Sequence, residues 1–211
     1  MTRGSCRATV ALHMLCLDFV NTVDLRRSLR VESLQSAADL VAWAGEHGVL
    51  DAEQVAARAA RDQRDPSGAA RAFAEAIDVR EALFEVLSAG VRGVPPPPGH
   101  LATVNAGLAA HAAPPRLAPE GDGLALRWGE DASILGPVLR SAAELVTGPE
   151  LARLRECPGS PGKACGWLFV DRTKNGSRIW CVGTLCGNRT RAHRRYSRER
   201  DARGRGSTGR A

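Results

Sequence analysis

The sequence predicts a mainly helical protein, in which a multihelical N-terminal domain with one short β-hairpin precedes a small zinc module built from a cysteine knuckle, a β-hairpin and a basic helix. Three observations carry this prediction. Apolar residues recur at helical spacing between strong N-cap signals over most of residues 1–150. Four of the six cysteines crowd into residues 157–186 with the spacing C-x7-C-x15-C-x4-C. Charge divides along the same line: residues 1–150 hold 14 arginines against 19 acids, a net −5, whereas residues 151–211 hold 15 lysines and arginines against 4 acids, a net +11. An acidic body joined to a polyanion-seeking module follows from that asymmetry.

Taken in order, residues 10–24 read as a helix with Leu12, Leu15, Phe19 and Val23 on one stripe. Arg3 and Arg7 before the apolar run Ala8–Leu17 mimic a secretory signal, but Asp18 and Asn21 stand where a small-residue cleavage site belongs. Arg26–Val31 is a polar connection. Ser36-x-x-Asp39 opens a helix to about His47, and Asp51-x-x-Gln54 opens another to about Arg64. Pro66 begins the longest helix, to about Val91, with the stripe Phe73, Ile77, Leu83, Phe84, Leu87 and Val91. Pro95–Pro98 makes a stiff link to an alanine-rich helix over Leu101–Ala112. Arg116–Ala118 and Leu124–Trp128 around Glu120-Gly-Asp-Gly123 predict a short hairpin, and Asp131 or Ser133 opens a helix through Leu145. Thr147-Gly-Pro149 breaks that helix, and Pro149–Glu156 reads as a short helix leading into the cysteines. The expected divisions are residues 1–150, the zinc module at 151–203 and a disordered basic tail at 204–211.

Within the module, Trp167–Thr173 and Arg178–Cys181 are rich in aromatic and β-branched residues and flank Asn175-Gly176, a type I′ turn signal. That hairpin would carry Cys165 and Cys181 to one end. Two cysteine pairs about a dozen to twenty residues apart converge on one tetrahedral zinc, so Cys157, Cys165, Cys181 and Cys186 are the expected ligands of a single structural ion. Four thiolates leave no open position for water, so metal catalysis is not expected. His193 lies about two helical turns beyond Cys186 and projects away. Neither His13, His47, His100 nor His111 has metal-ligand spacing to another histidine. No nucleophile elbow, phosphate-binding glycine loop or dinucleotide fingerprint is present, and a non-enzymatic role is expected. No segment has the length of a transmembrane helix, and Cys6 and Cys16 read as reduced thiols of a cytoplasmic protein.

After Cys186, with Asn188 or Thr184 as cap, Arg191, Arg194, Arg195 and Arg198 fall on one helical face. Guanidinium forks suit phosphates and guanine edges, which predicts contact with double-stranded DNA, with Arg189, Arg172 and Lys174 on neighbouring phosphates. Arg80 interrupts the stripe of the longest helix and must face the core or a cleft. It reads either as a buried arginine satisfied by Asp18, Asn21 or carbonyls near Thr22, or as part of a pocket for a small anion formed with Asp18 and Asn21.

The segments Cys165-Gly-Trp-Leu-Phe-Val-Asp, Ser177-Arg-Ile-Trp-Cys181 and Cys186-Gly-Asn-Arg189 resemble the CGNR zinc-finger family of bacterial transcription regulators. Leu15-Cys-Leu-Asp-Phe-Val-Asn-Thr22 and Val79-Arg-Glu-Ala-Leu83 resemble the opening and the central helix of the ABATE domain that precedes this finger. The resemblance implies a zinc-dependent, DNA-binding transcription regulator whose helical domain senses a small effector or forms a homodimer. The other reading gives the finger a structural, protein- or RNA-binding role and leaves the work to the helical domain. One departure concerns the first cysteine pair, which in the family is closer to C-x4-C. Here Pro158–Ala164 separates Cys157 from Cys165, so Cys157 is the ligand on which the resemblance bears least.

Overall fold

A computed structural model describes residues 15–121, 123–128, 133–193 and 195–196. The chain divides into two compact units, and it enters the second one twice. The first unit holds the described residues up to Thr22 and Ser33–Ala152; the second holds Val23–Glu32 and the residues from Arg153 onward. Residues 23–32, which a linear reading keeps with the helices, therefore belong to the cysteine-bearing unit.

The first unit is built from helices whose ends are chemically specified. Helix α1 (residues 15–20) is buried on nearly every side, with Leu15, Cys16, Leu17, Phe19 and Val20 all inside. It stops sooner than its apolar spacing suggests, because Val23–Asp24 forms strand β1, paired antiparallel with β2 (Val31–Glu32). Leu12 lies outside the described residues.

Helix α2 (Ala37–Glu46) begins where Ser36 Oγ accepts the Asp39 N–H. In α3 (Ala52–Arg64) the capping box is complete in both directions, Asp51 taking the Gln54 N–H and Gln54 the Asp51 N–H, each at 2.8 Å. Asp65 caps α4 (Pro66–Arg92) through the Gly68 N–H, and Gly93 ends it in the left-handed region with φ 65°. The α4 stripe is rotated from its expected course. Leu83, Phe84 and Leu87 are buried, but so are the small residues Ala76, Ala82 and Ala89, while Phe73 and Ile77 are half-buried.

Helix α5 (Pro98–His111) packs on α4 and α6 (Leu135–Thr147), and strands β3 (Pro115–Glu120) and β4 (Gly123–Trp128) form the expected hairpin, with Glu120 opposite Gly123. Ser133 Oγ accepts the Leu135 N–H at the start of α6, and Asp131 lies outside the described residues. The core of the unit is the apolar contact among these helices, including a tilted Phe19–Trp43 ring pair with centroids 5.0 Å apart.

Arg80 is completely buried, as the interrupted stripe requires. Its Nη1 donates to Thr22 Oγ1 at 3.0 Å, and its Nε donates to Glu81 Oε1 at 3.0 Å. Asp18 is only half-buried. Burial pushes its carboxyl above the usual carboxylate range. The fork expected to meet Asp18, Asn21 or carbonyls near Thr22 thus meets the Thr22 hydroxyl and the neighbouring Glu81 carboxylate directly.

Pro149–Arg153 is a short 3-10 turn ending the first unit's chain, and in the second unit the expected helix to Glu156 is replaced by strand β5 (Leu154–Glu156). Strand β6 (Leu168–Val170) pairs with β5, Leu154 opposite Val170 and Glu156 opposite Leu168. The expected partner, Arg178–Cys181, forms no ladder. Two contacts explain the exchange. Asp171 N–H donates to Arg153 C=O at 2.9 Å and extends the β5–β6 pairing. On the other arm, the Arg178 side chain donates to the carbonyls of Trp180 and Cys181, satisfying them without a strand.

Candidate metal centre

The four cysteines are delivered by two tight turns. The first follows β5, where Cys157 N–H donates to Trp167 C=O at 2.8 Å and Gly166 N–H donates back to Cys157 C=O at 2.9 Å. This exchange keeps the two ends of the widened first pair together. The extra residues close on themselves: Ser160 and Lys163 exchange backbone hydrogen bonds at 3.1 and 2.9 Å across Pro161-Gly162. Gly159 is the residue that permits the turn. Its φ is +75°, and a Cβ there would come within 2.3 Å of Lys163 C=O and 2.4 Å of Cys165 N.

The second turn is a single π-helical turn, Gly183–Gly187, in which Val182 C=O accepts the N–H groups of Leu185, Cys186 and Gly187. Helix α7 (188–193 and 195–196) follows directly. Neither Asn188 nor Thr184 caps it as expected. No side chain caps this turn; the amide oxygen of Asn188 instead takes a hydrogen bond from Arg191. Thr190, buried, supplies a link that sequence reasoning missed. Its hydroxyl reaches Cys186 C=O at 2.9 Å and Gly159 C=O at 3.1 Å, tying the helix to both cysteine turns. A threonine flanked by arginines, Arg189 and Arg191, was the available signal.

Between the turns, Asp171 organises the Asn175-Gly176 loop. Its Oδ1 accepts the Thr173 N–H and hydroxyl at 2.9 and 2.6 Å, and its Oδ2 accepts the Arg178 N–H at 2.8 Å. Thr173, chiefly through its hydroxyl, holds the Asp171 carboxyl below the usual range. The chain thereby doubles back and delivers Cys181 to Cys165 without the predicted hairpin. Residues 23–32 support the same fold: Val23 C=O accepts the Trp167 indole N–H at 3.0 Å, and Arg27 pairs with Glu156 at 2.6 Å.

The sulfurs of Cys157, Cys165, Cys181 and Cys186 all lie within 4.8 Å of one another, and every one of these cysteines is buried. Cys165 and Cys181 are 3.8 Å apart at sulfur, Cys181 and Cys186 3.9 Å. A tetrahedral zinc with bonds of about 2.3 Å requires sulfur separations of about 3.8 Å. A disulfide needs about 2.05 Å, so these are not bonded pairs. Phe169, Trp167, Trp180 and Val182 pack around the cluster and exclude water.

The thiols also show why a cation belongs there. Hydrogen bonds from Cys165 and Cys181 push Cys157 down to about 2, and the resulting thiolate pushes Cys165 up to about 12 and raises Cys181 as well. One negative sulfur is tolerated and its neighbours resist ionising. A divalent ion at the centre reverses that resistance for all four. Cys157, despite the widened pair, sits in the cluster with the others.

Of the basic residues expected to meet nucleic acid, Arg189, Arg191 and Arg195 on the helix and Arg172 and Lys174 on the loop are exposed. Arg191 also hydrogen-bonds Asn188 and lies 3.5 Å from Gly183 C=O, so part of its fork secures the turn below. Arg194, Arg198 and the tail 204–211 lie outside the described residues. No helix among the described residues is long and apolar enough to cross a membrane.

Comparison with known proteins agrees with this geometry. No curated protein matches the chain. Residues 153–199 match the CGNR zinc finger, covering all four cysteines. Residues 13–149 match the ABATE domain, described as "Putative stress-induced transcription regulator". With both matches in this order, the chain belongs to the ABATE family and carries a C-terminal CGNR zinc finger that holds a structural zinc site.

Proposed function

We propose that this protein is a cytoplasmic, non-catalytic transcription regulator that binds double-stranded DNA through the basic helix of its zinc finger. The observation that carries the reading is the attachment of that helix. Thr190 joins it to both cysteine turns, while Arg189, Arg191 and Arg195 stay exposed. A metal-anchored helix presents cations at fixed positions, which a flexible basic tail does not. The net charge of +11 over residues 151–211 supports a polyanionic partner. Arg189, Arg191 and Arg195 of the helix serve as contacts together with Arg194 and Arg198, with Arg172 and Lys174 on adjacent phosphates. The helical unit senses a signal or oligomerises in this reading. A closed four-thiolate site offers no position for substrate, in keeping with a structural ion.

A salt titration of duplex binding tests it. Four to six phosphate contacts give a slope of log affinity against log salt of roughly −4 to −5, at about −0.9 per contact. Replacing Arg194 and Arg195 by alanine makes the slope shallower by about 2 units if both grip phosphates. Loss of sequence preference in the double variant identifies a base contact instead. Identical slopes and affinities for the two proteins contradict the proposal.

A further inference from the structure

Among the described residues, strands β3 and β4 pair only with each other, so their hairpin is a two-stranded sheet with two edges. The edges are not equivalent. The loop between the strands is two residues long, with Gly121 at φ +58° and Glu120 opposite Gly123. The pair that closes such a loop exchanges both of its backbone hydrogen bonds, and bonded and non-bonded pairs alternate from there. The bonded pairs are therefore Glu120 with Gly123, Ala118 with Ala125 and Arg116 with Arg127. The other pairs, Pro119 with Leu124, Leu117 with Leu126 and Pro115 with Trp128, turn their backbone groups outward, one row along each edge.

On β3 that row is nearly without donors. Pro115 and Pro119 have no N–H, and outward positions of this kind are where a strand tolerates proline. Leu117 is left as its one donor. On β4 the row is complete. Leu124, Leu126 and Trp128 each turn an N–H and a C=O outward, and the strand has neither a proline nor a bulge to guard them. Leu124 is also 69% exposed. A hairpin of two strands is marginal in water and gains stability when further strands join it.

We propose that β4 pairs antiparallel with β4 of a second copy, making the protein a homodimer joined through a four-stranded sheet in the order β3–β4–β4–β3. The edge itself selects this occupant. With a twofold axis at Leu126, that residue faces its own counterpart, and Leu124 of each copy faces Trp128 of the other. Every outward donor of both strands then meets a carbonyl. A register shifted by two residues leaves one outward donor of each strand unpaired. The proline-blocked β3 edge cannot accept the next copy, so assembly closes at two rather than growing. Oligomerisation thereby becomes the work of the helical unit, a choice the proposed function leaves open, and the dimer does not depend on DNA binding.

The test is sedimentation of the intact, zinc-loaded protein without DNA, from about 1 µM to about 300 µM, with amide hydrogen exchange at both ends of that range. A dimer should form as concentration rises. The Leu124, Leu126 and Trp128 amides should gain protection in step with it, and more than those of Gly123, Ala125 and Arg127, which the hairpin bonds by itself. Leu126→Pro gives β4 the guard that β3 already has and removes the two hydrogen bonds at the axis. It should weaken the dimer about thirtyfold, with zinc content and helix signal unchanged. Leu117→Pro, the same change on the edge already blocked, should leave the dimer intact. A monomer throughout the range, a dimer whose Leu124, Leu126 and Trp128 amides stay unprotected, assemblies larger than two, or equal weakening by the two prolines overturns the proposal. Protection of those three amides in a monomer also overturns it, since another segment of the same chain would then hold the edge.

Discussion

The helical unit and the zinc finger reach a fixed structure by opposite routes. In the first, capped helices bury an apolar core, and a polar group such as Arg80 is held inside by side chains of the unit. In the second, the strands are two or three residues long, and the buried cluster is four cysteines with Phe169. A module of that size rarely folds on apolar burial alone, so the ion stands in for the missing core. The lesson concerns cooperativity. One unit should fail gradually with its packing, the other all at once with its metal.

The largest effect should therefore come from one sulfur. Cys165→Ser removes a ligand of an ion whose binding contributes about 10–16 kcal/mol to folding of such modules. Zinc content by elemental analysis should fall from one per chain to nearly none, and near-ultraviolet dichroism from Trp167 and Trp180 should collapse while helix content from α2–α6 persists. Cys157→Ser should behave alike, given the place of Cys157 in the cluster. Full zinc content in that variant would show that the widened pair contributes no ligand.

The mirror-image change lies in the helical unit. Arg80→Leu leaves Thr22 and Glu81 without their buried partner and should lower the stability of that unit by about 3 kcal/mol in urea, with zinc content unchanged. Loss of zinc in this variant would break the contrast between the units.

A smaller effect is expected where helix and metal turns meet. Thr190→Val removes the hydroxyl that reaches Cys186 and Gly159, and the zinc dissociation constant should rise about fivefold, equivalent to about 1 kcal/mol. The urea midpoint of the helical unit should not move.

The smallest effect concerns a cap and has a defined pH window. Asp65 accepts the Gly68 N–H, which holds its carboxyl below the usual range in the folded chain. A lowered folded-state pKa stabilises above the unfolded value of about 3.9 and ceases to do so as pH falls through the folded one. Asp65→Ala should lower the Tm of the helical unit at pH 7, and the gap from the parent should narrow below about pH 4.

How far the sequence was legible also differs between the units. Caps are local chemistry, so Ser36, Asp51 and Pro66 announced α2, α3 and α4 within a residue or two. The four ligands were legible because thiols at such spacing have few other uses. Strand pairing was not. The Asn175-Gly176 turn pointed to Arg178–Cys181 as the partner of β6, but the true partner is Leu154–Glu156, which carried no turn signal and read as helix. A side chain, Arg178, took over the carbonyls a ladder would have used. Nor could local reasoning show that Val23–Glu32 belongs to the zinc-bearing unit, since its anchors, the Trp167 indole on Val23 and the Arg27–Glu156 pair, come from residues 144 and 129 positions away.

The most direct test of the central claim, that metal alone separates a folded finger from an unfolded one, is amide hydrogen exchange before and after chelation. With zinc bound, the Cys157, Gly166, Cys186 and Gly187 amides should be protected, as should those of α2, α4 and α6. After chelation, protection should vanish throughout residues 154–193 and Val23–Glu32 while the three helices keep theirs. Protection that survives in the cysteine turns, or that disappears from both units together, would contradict the account.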